Sequence, residues 1–124
     1  MAVKRTPEQE EVVKNRGGAL LVSAAAGSGK TRVLVERLMD YILQEGRNID
    51  EFLIITFTRA AAEELRARIA KEIAEALAAQ PDHAHLRQQT VRLYETQIST
   101  IHAFCTVLLR QWGHLLDIPG DFAL

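Results

Sequence analysis

The sequence is poor in the residues that build disulfide frameworks, metal–thiolate sites and membrane anchors. A single cysteine among 124 residues excludes a disulfide framework and any site made of several thiolates. The first ten residues contain no apolar core, so we expect no signal peptide. The longest apolar stretch, residues 19–26, is far shorter than the roughly 20 residues that a membrane-spanning helix needs. These absences predict a cytoplasmic protein with no membrane partner.

An excess of charge of either sign is also absent. Fifteen Lys and Arg stand against 16 Asp and Glu, which gives a net charge of −1. This balance argues against a uniformly basic nucleic-acid coat and against a polybasic membrane binder. Any nucleic acid must therefore be held by local groups. With 48% hydrophobic residues, the chain has the composition of one ordinary globular domain.

Apolar runs alternate with helical periodicities along the chain, which predicts an α/β fold with a parallel sheet and flanking helices. Buried strands are predicted at 19–23 and 52–57, and a short third strand at 97–99. Helices are expected from Thr6-Pro7 to about residue 16, from the glycine-rich turn at 27–29 to near 46, and from 101 to about 115. Between the last two strands, residues 59–95 predict a pair of helices broken at Pro81.

A glycine-rich segment between the first strand and the second helix predicts a nucleotide phosphate loop. Its residues are Ala24, Ala25, Ala26, Gly27, Ser28, Gly29, Lys30 and Thr31. The backbone N–H groups and the helix N-terminus would face phosphate oxygens, Lys30 would reach the β- and γ-phosphates, and the Thr31 hydroxyl would ligate Mg²⁺. Ala24 replaces the glycine of the general pattern. The alternative is a helix-start turn that merely contains Gly-Lys-Thr, but the strand–loop–helix context favours nucleoside triphosphate binding.

Hydroxyl and aromatic side chains follow the other two predicted strands. Thr56-Phe57-Thr58-Arg59 ends one strand and opens a helix, and Thr100-Ile101-His102 does the same after the next. The carboxyl ends of parallel strands face the ligand-binding edge of a sheet. Hydroxyls and helix N-termini can bond phosphodiester oxygens, while Phe57 can stack on a base. The pattern is therefore typical of single-stranded nucleic-acid contact.

Four segments together resemble the N-terminal motifs of UvrD/Rep-type superfamily 1 helicases. They read TPEQ, AAAGSGKTRVL, TFTRAAAEEL and STIHAFC, and the resemblance extends from Thr6 to Phe122. Within that group the second and fourth segments look closest to the AddA family of bacterial helicase–nucleases, with RecB next. The resemblance implies that residues 1–124 are the N-terminal part of a RecA-like P-loop ATP-binding domain whose sheet is incomplete.

The resemblance also implies roles for residues of the nucleotide site. Gln9 matches the glutamine that reads the adenine edge, and Arg32 matches an arginine that lies against the adenine ring. ATP with Mg²⁺ is thus the expected cofactor pair, and Lys30 and Thr31 are the expected catalytic residues of the phosphate loop. From the residues alone, Gln9 has a second interpretation as the capping partner of Thr6.

A second set of matches concerns DNA. Phe57 corresponds to the aromatic residue that stacks on single-stranded DNA, although a core phenylalanine is the alternative. The other matching positions contact the DNA backbone or belong to a second contact motif: Thr56, Thr58, Arg59, Thr100 and His102. Many relatives carry Asn where Arg59 stands, and Phe104 is expected to pack in the core beneath the second motif.

The activity that the resemblance implies is that of a 3′–5′ ATP-dependent DNA helicase with an exonuclease. It would act on DNA ends in double-strand-break repair, together with an AddB-like nuclease partner. The alternatives are a plain UvrD/Rep repair helicase, a small-molecule P-loop kinase and a non-enzymatic nucleotide-binding module.

Hydrolysis also requires an acidic residue after an apolar strand, and no such segment is found. The acid after Leu115-Leu116 is Asp117, in a stretch interrupted by Gly113 and His114. We therefore expect a fragment that binds ATP but does not hydrolyse it. The open sheet edge of such a fragment predicts non-physiological self-association.

Overall fold

The computed structural model describes residues 4–22 and 29–122. The helices are α1 (Pro7–Lys14), α2 (Lys30–Glu45), α3 (Arg59–Ala79), α4 (Ala84–Arg92) and α5 (Ile101–Trp112), and the strands are β1 (Leu53–Thr56) and β2 (Gln97–Thr100). Short 3₁₀ turns lie at Ile49–Glu51, Leu93–Glu95 and Gly113–Leu116. Within the described ranges, no helix is both long and apolar enough to cross a membrane.

The two strands form a parallel sheet, and this confirms the predicted α/β fold class. Leu53 pairs with Gln97, and the register continues to Thr56 opposite Thr100. Parallel neighbours cannot be joined by a tight turn and need a long crossover. Here the crossover consists of α3, α4 and the 3₁₀ turn after α4, and it returns the chain to the same end of the sheet.

The core lies between this sheet and the helices α2, α3 and α4. The apolar residues of α3 recur about every four positions, which places them on one buried face of the helix. The members of the core from the three helices and the two strands include Leu38, Ile42, Ile54, Leu65, Ile69, Ile73, Leu86 and Ile98. The spacing predicted for α3 from its apolar stripe is thus confirmed.

A fully buried glutamine ties the crossover to the segment that leads into β1. Gln89 of α4 has no exposed surface, and its Oε1 accepts a hydrogen bond of 2.7 Å from the backbone N–H of Ile49. Its Nε2 donates to Asn48 Oδ1 at 3.0 Å and to the carbonyl oxygen of His85 at 3.2 Å. Every polar group of this side chain is therefore satisfied inside the protein, as burial requires.

The prediction of a buried strand at 19–23 is wrong for the residues described. Residues 19–22 have no regular structure and are exposed, with Leu21 at 93% exposure. A strand needs a neighbour for its backbone N–H and C=O groups. In the described ranges β1 and β2 pair only with each other. The apolar composition of the segment therefore did not suffice to form a strand.

The burial predicted for 52–57 is also only partly correct. The strand is shorter, and Ile54 is buried whereas Leu53 and Ile55 on the opposite face are about half exposed. The same limited cover affects α5, which has no buried residue, ends at Trp112 and continues as a 3₁₀ turn. One face of the sheet carries the core, and the other face lacks a covering layer among the described elements.

Two side chains of α5 differ accordingly from expectation. Cys105, predicted as a buried inert thiol, is exposed, and Phe104 is only half-buried. Both residues lie on a helix that contacts the sheet mainly through β2 and the end of β1. The apolar stripe of α5 was therefore a poor guide to burial.

The buried glutamine provides a test of the crossover. Substitution Gln89→Ala leaves the Ile49 N–H without its acceptor inside the core. We expect the free energy of unfolding to fall by about 1–3 kcal/mol. Urea unfolding followed by circular dichroism measures it, and Gln88→Ala, at the exposed neighbouring position of α4, is the matched control. Equal losses in the two variants would contradict this account of the buried hydrogen bonds.

Candidate nucleotide and DNA site

The predicted phosphate-binding residues divide between described and undescribed positions. Ala24, Ala25, Ala26, Gly27 and Ser28 lie outside the described residues. Gly29 caps α2 with a φ of 87°, a left-handed conformation that glycine adopts without a steric penalty. Lys30 and Thr31 follow as the first two residues of α2, and both are exposed. The lysine and the hydroxyl are therefore accessible at the positive end of a 16-residue helix.

The N-terminus of α1 brings Gln9 to the same place. Thr6 and Gln9 form a capping box, with Gln9 N–H donating to Thr6 Oγ1 at 3.2 Å and Thr6 N–H donating to Gln9 Oε1 at 3.0 Å. Arg32 Nη2 donates to the same Oε1 at 3.1 Å. A Cβ added at Gly29 would lie 3.8 Å from Gln9 Nε2. The structure thus brings together Gln9, Gly29 and Arg32, and it contains the capping interaction that was the alternative role for Gln9.

These residues adjoin an open cleft of about 620 Å³ between α1, α2 and the segment before residue 23. Its floor is mainly apolar, and its polar lining includes Gln9, Lys30 and Arg37. Apolar walls with a few placed polar groups are the usual character of small-molecule sites. The lysine, the threonine hydroxyl and the helix N-terminus fit a triphosphate with a hard cation, for which oxygen ligands are preferred. No group of three or more His, Cys, Asp or Glu suited to a metal ion occurs among the described residues.

Polar contacts hold α1 against α2. Asp40 accepts hydrogen bonds from Lys14 Nζ at 2.7 Å and from Arg16 Nη2 at 2.6 Å. Arg37 donates to the backbone carbonyls of Val12 and Asn15, which lie at the end of α1. The only buried residue of α1 is Val13. The position of Gln9 relative to α2 therefore depends on hydrogen bonds and ion pairs more than on apolar packing.

The pKa of Asp40 records this docking. Partial burial acts to raise the pKa of the carboxyl, but the hydrogen bonds from Lys14 and Arg16 and their positive charges outweigh it and lower the pKa below 3.8. A lowered pKa in the folded state means that the ionised carboxylate stabilises the protein.

The first set of DNA-contact candidates lies at the carboxyl end of β1. The Thr56 hydroxyl donates to the carbonyl oxygen of Thr58 at 3.0 Å, and Thr58 Oγ1 caps α3 by accepting from Ala61 N–H at 3.1 Å. Phe57 is fully exposed, so its alternative role as a core residue is wrong. Arg59 is the exposed first residue of α3.

The second set occupies the matching position after β2. Thr100 caps α5 by accepting from Ala103 N–H at 3.2 Å, and His102 is exposed in the first turn of that helix. Because Thr56 and Thr100 are partners in the parallel register, the N-termini of α3 and α5 lie side by side. Two helix ends, exposed hydroxyl-bearing caps and one exposed aromatic ring thus share one edge of the sheet, which we call the hydroxyl edge.

Two side chains near these sites were missed at the level of sequence. Glu36 pairs with Arg5 Nε at 2.8 Å and lies near Arg32, and the Arg32–Glu36 spacing of four residues on a helix was a readable signal. Arg66 of α3 donates to the carbonyl oxygens of Leu93 and Thr96, immediately before β2. No local pattern announces the second contact, because its acceptors are backbone atoms about 30 residues away.

Comparison with known proteins identifies the pattern to which these sites belong. A family model described as the UvrD/REP helicase N-terminal domain matches residues 5–124. Three similar proteins carry the same name, that of the AddA component of an ATP-dependent helicase/nuclease. The one from Lachnoclostridium phytofermentans is 48% identical over 121 residues, covering 96% of this chain and 9% of the relative.

The other two relatives agree. The protein from Oceanobacillus iheyensis is 45% identical over 124 residues, covering 98% of this chain and 10% of its own length. That from Staphylococcus aureus strain MRSA252 is 43% identical over 117 residues, covering 94% and 10% respectively. The chain thus spans about a tenth of the length of the curated relatives that it matches.

The ion pairs of Asp40 predict a pH dependence of stability. The stabilisation is complete above the ordinary carboxyl pKa of 3.8 and is lost as the pH falls through the lower folded value. We expect Asp40→Asn to reduce the free energy of unfolding at pH 7 and to change it little at pH 2. Urea unfolding at both pH values measures this, with Asp82→Asn in the exposed turn after α3 as the control. The same deficit at both pH values would refute the assignment.

Proposed function

The chain belongs to the UvrD/REP helicase family, and from this premise we propose that it is the ATP-binding and single-stranded-DNA-contacting segment of a 3′–5′ DNA helicase. The parent protein would be the helicase–nuclease component of an AddAB-type complex. It would act on DNA ends in double-strand-break repair with an AddB-like partner, and it would be cytoplasmic. The identity of 43–48% to proteins named as ATP-dependent helicase/nuclease components supports this choice over a plain UvrD/Rep repair helicase.

The observation that carries the proposal is the hydroxyl edge. Two helix N-termini capped by Thr58 and Thr100 offer backbone N–H groups and positive dipole ends to phosphodiester oxygens. Phe57, fully exposed between them, offers a ring on which a base can stack. Thr56, Arg59 and His102 complete the contact set. A small-molecule kinase has no use for an exposed aromatic ring at this position.

ATP would bind at the N-terminus of α2. Lys30 would contact the β- and γ-phosphates, Thr31 would supply a hydroxyl ligand to Mg²⁺, and Gln9 with Arg32 would contact adenine. Bound Mg²⁺ would neutralise the charge on the phosphates. Ala24, Ala25, Ala26, Gly27 and Ser28 would contribute the backbone cradle, and Gly29 its last turn.

Turnover would need groups beyond those found here. Asp117, the acid that follows two leucines, lies after a 3₁₀ turn and has a φ of 56°, unlike an acid at the end of a strand. An apolar strand that ends in an acid holds Mg²⁺ and positions the attacking water in this class of enzyme. We therefore propose that the 124-residue chain binds ATP without hydrolysing it.

The nucleotide proposal is tested by Lys30→Ala. Loss of a charged hydrogen-bond donor to phosphate costs about 1.5–3 kcal/mol, so we expect Mg·ATP affinity to fall at least about tenfold. Isothermal titration measures it, and Lys71→Ala, an exposed lysine of α3, should bind as the wild type does. DNA-stimulated hydrolysis by the wild-type chain that disappears in Lys30→Ala would contradict the proposed inactivity of the fragment.

The DNA proposal is tested by Phe57→Ala. Base–aromatic stacking is worth about 1–3 kcal/mol, so we expect affinity for a labelled oligo-dT to fall about 5- to 150-fold in fluorescence anisotropy. Tyr94→Ala is the matched control, because Tyr94 is an exposed aromatic residue just before β2, at the opposite end of the sheet. Absence of DNA binding by the folded wild-type chain would instead favour a small-molecule kinase, and equal losses in both variants would refute the stacking role.

A further inference from the structure

The amide oxygen of Gln9 is fully engaged in this structure. Its Oε1 accepts from Thr6 N–H at 3.0 Å and from Arg32 Nη2 at 3.1 Å. An amide oxygen has two lone pairs. A glutamine that reads adenine accepts from N6–H with this oxygen and donates to N7 with its nitrogen. One of the two present donors must therefore leave before Gln9 can accept a hydrogen bond from adenine.

The two donors differ in what they lose on leaving. The Thr6 N–H belongs to the capping box that starts α1, and breaking it would leave a backbone donor of the helix start unsatisfied. Arg32 has further donors and a second acceptor nearby. Its Nε is buried without a hydrogen-bond partner in the described residues and lies 3.9 Å from Glu36 Oε1. Arg32 is therefore the donor that can move away from Gln9.

Glu36 is held ready to accept Arg32. Its Oε2 accepts a hydrogen bond of 2.8 Å from Arg5 Nε, and Arg5 also bonds Glu10 at 2.9 Å. The Glu36 carboxylate is partly buried, with 23% of its side chain exposed. A carboxylate fixed by one arginine and adjacent to the unpartnered Nε of another offers a full hydrogen bond after a shift of about 1 Å, the difference between 3.9 Å and ordinary hydrogen-bond length.

We propose that Glu36 is a positioning residue for base recognition: it draws the Arg32 guanidinium off Gln9 Oε1, so that this oxygen can accept from adenine N6–H. The inference rests on the proposed function, since it requires adenine beside Gln9. Without the Glu36 charge, Arg32 stays on Gln9 and competes with adenine. Guanine carries an acceptor at O6, has no use for Gln9 Oε1, and so is indifferent to this competition.

The experiment compares ATP and GTP binding to the 124-residue chain by isothermal titration in Mg²⁺. We expect Glu36→Gln to weaken ATP about two- to fivefold, the range of a partly exposed ion pair, and to leave GTP affinity unchanged. Glu45→Gln removes an ion pair to Arg16 at the other end of α2 and should change neither nucleotide. Arg5→Gln leaves the Arg32–Glu36 pair in place and should have a smaller effect on ATP than Glu36→Gln.

Two results would overturn the proposal. Equal weakening of ATP and GTP in Glu36→Gln, reproduced in full by Arg5→Gln, would mean that Glu36 only fastens the segment before α1. A Gln9 side-chain amide resonance that is the same in nucleotide-free wild type and Glu36→Gln would show that Glu36 does not affect Gln9. This second readout needs no nucleotide. A wild-type chain that binds no ATP would thus defeat the proposed function, while the resonance alone would decide the coupling between Glu36 and Gln9.

Discussion

The parallel pairing of β1 with β2 determines where every candidate DNA contact lies. Only a parallel pair puts two carboxyl ends at one edge, and the register sets Thr56 opposite Thr100. Each strand is followed at once by a helix, so two helix N-termini become neighbours. The long crossover that parallel pairing demands, α3 with α4, also supplies most of the core that supports this edge. The hydroxyl edge is therefore a consequence of topology more than of any single side chain.

The nucleotide side of the molecule is built differently. There α1 contributes one buried residue, and its attachment to α2 consists mainly of ion pairs and arginine–carbonyl hydrogen bonds. Such contacts are directional and can exchange partners with little loss of free energy, whereas an apolar core has no comparable freedom. A base-reading glutamine mounted on a polar attachment can therefore respond to its ligand. The contrast separates a rigid DNA edge from an adaptable base-recognition region.

Local signals allowed much of this to be predicted, and burial accounts for most of the errors. The caps at Thr6, Thr58 and Thr100 and the periodicity of α3 depend on residues three or four apart, so the sequence displays them directly. Burial of Leu21, Ile55 or Cys105 depends on which layers cover them, and no local pattern carries that information. The role of Gln89 was equally hidden, because its acceptor contact is with a backbone N–H 40 residues away.

The central claim is that the segments after β1 and β2 form one DNA-contacting surface. Amide NMR shifts of the ¹⁵N-labelled chain, recorded during titration with oligo-dT, test it most directly. The account predicts that amides at 57–60 and at 101–103 shift together along a single binding curve, while those at 94–95, at the opposite end of the sheet, do not move. Shifts confined to one of the two segments, or two curves with different affinities, would contradict it.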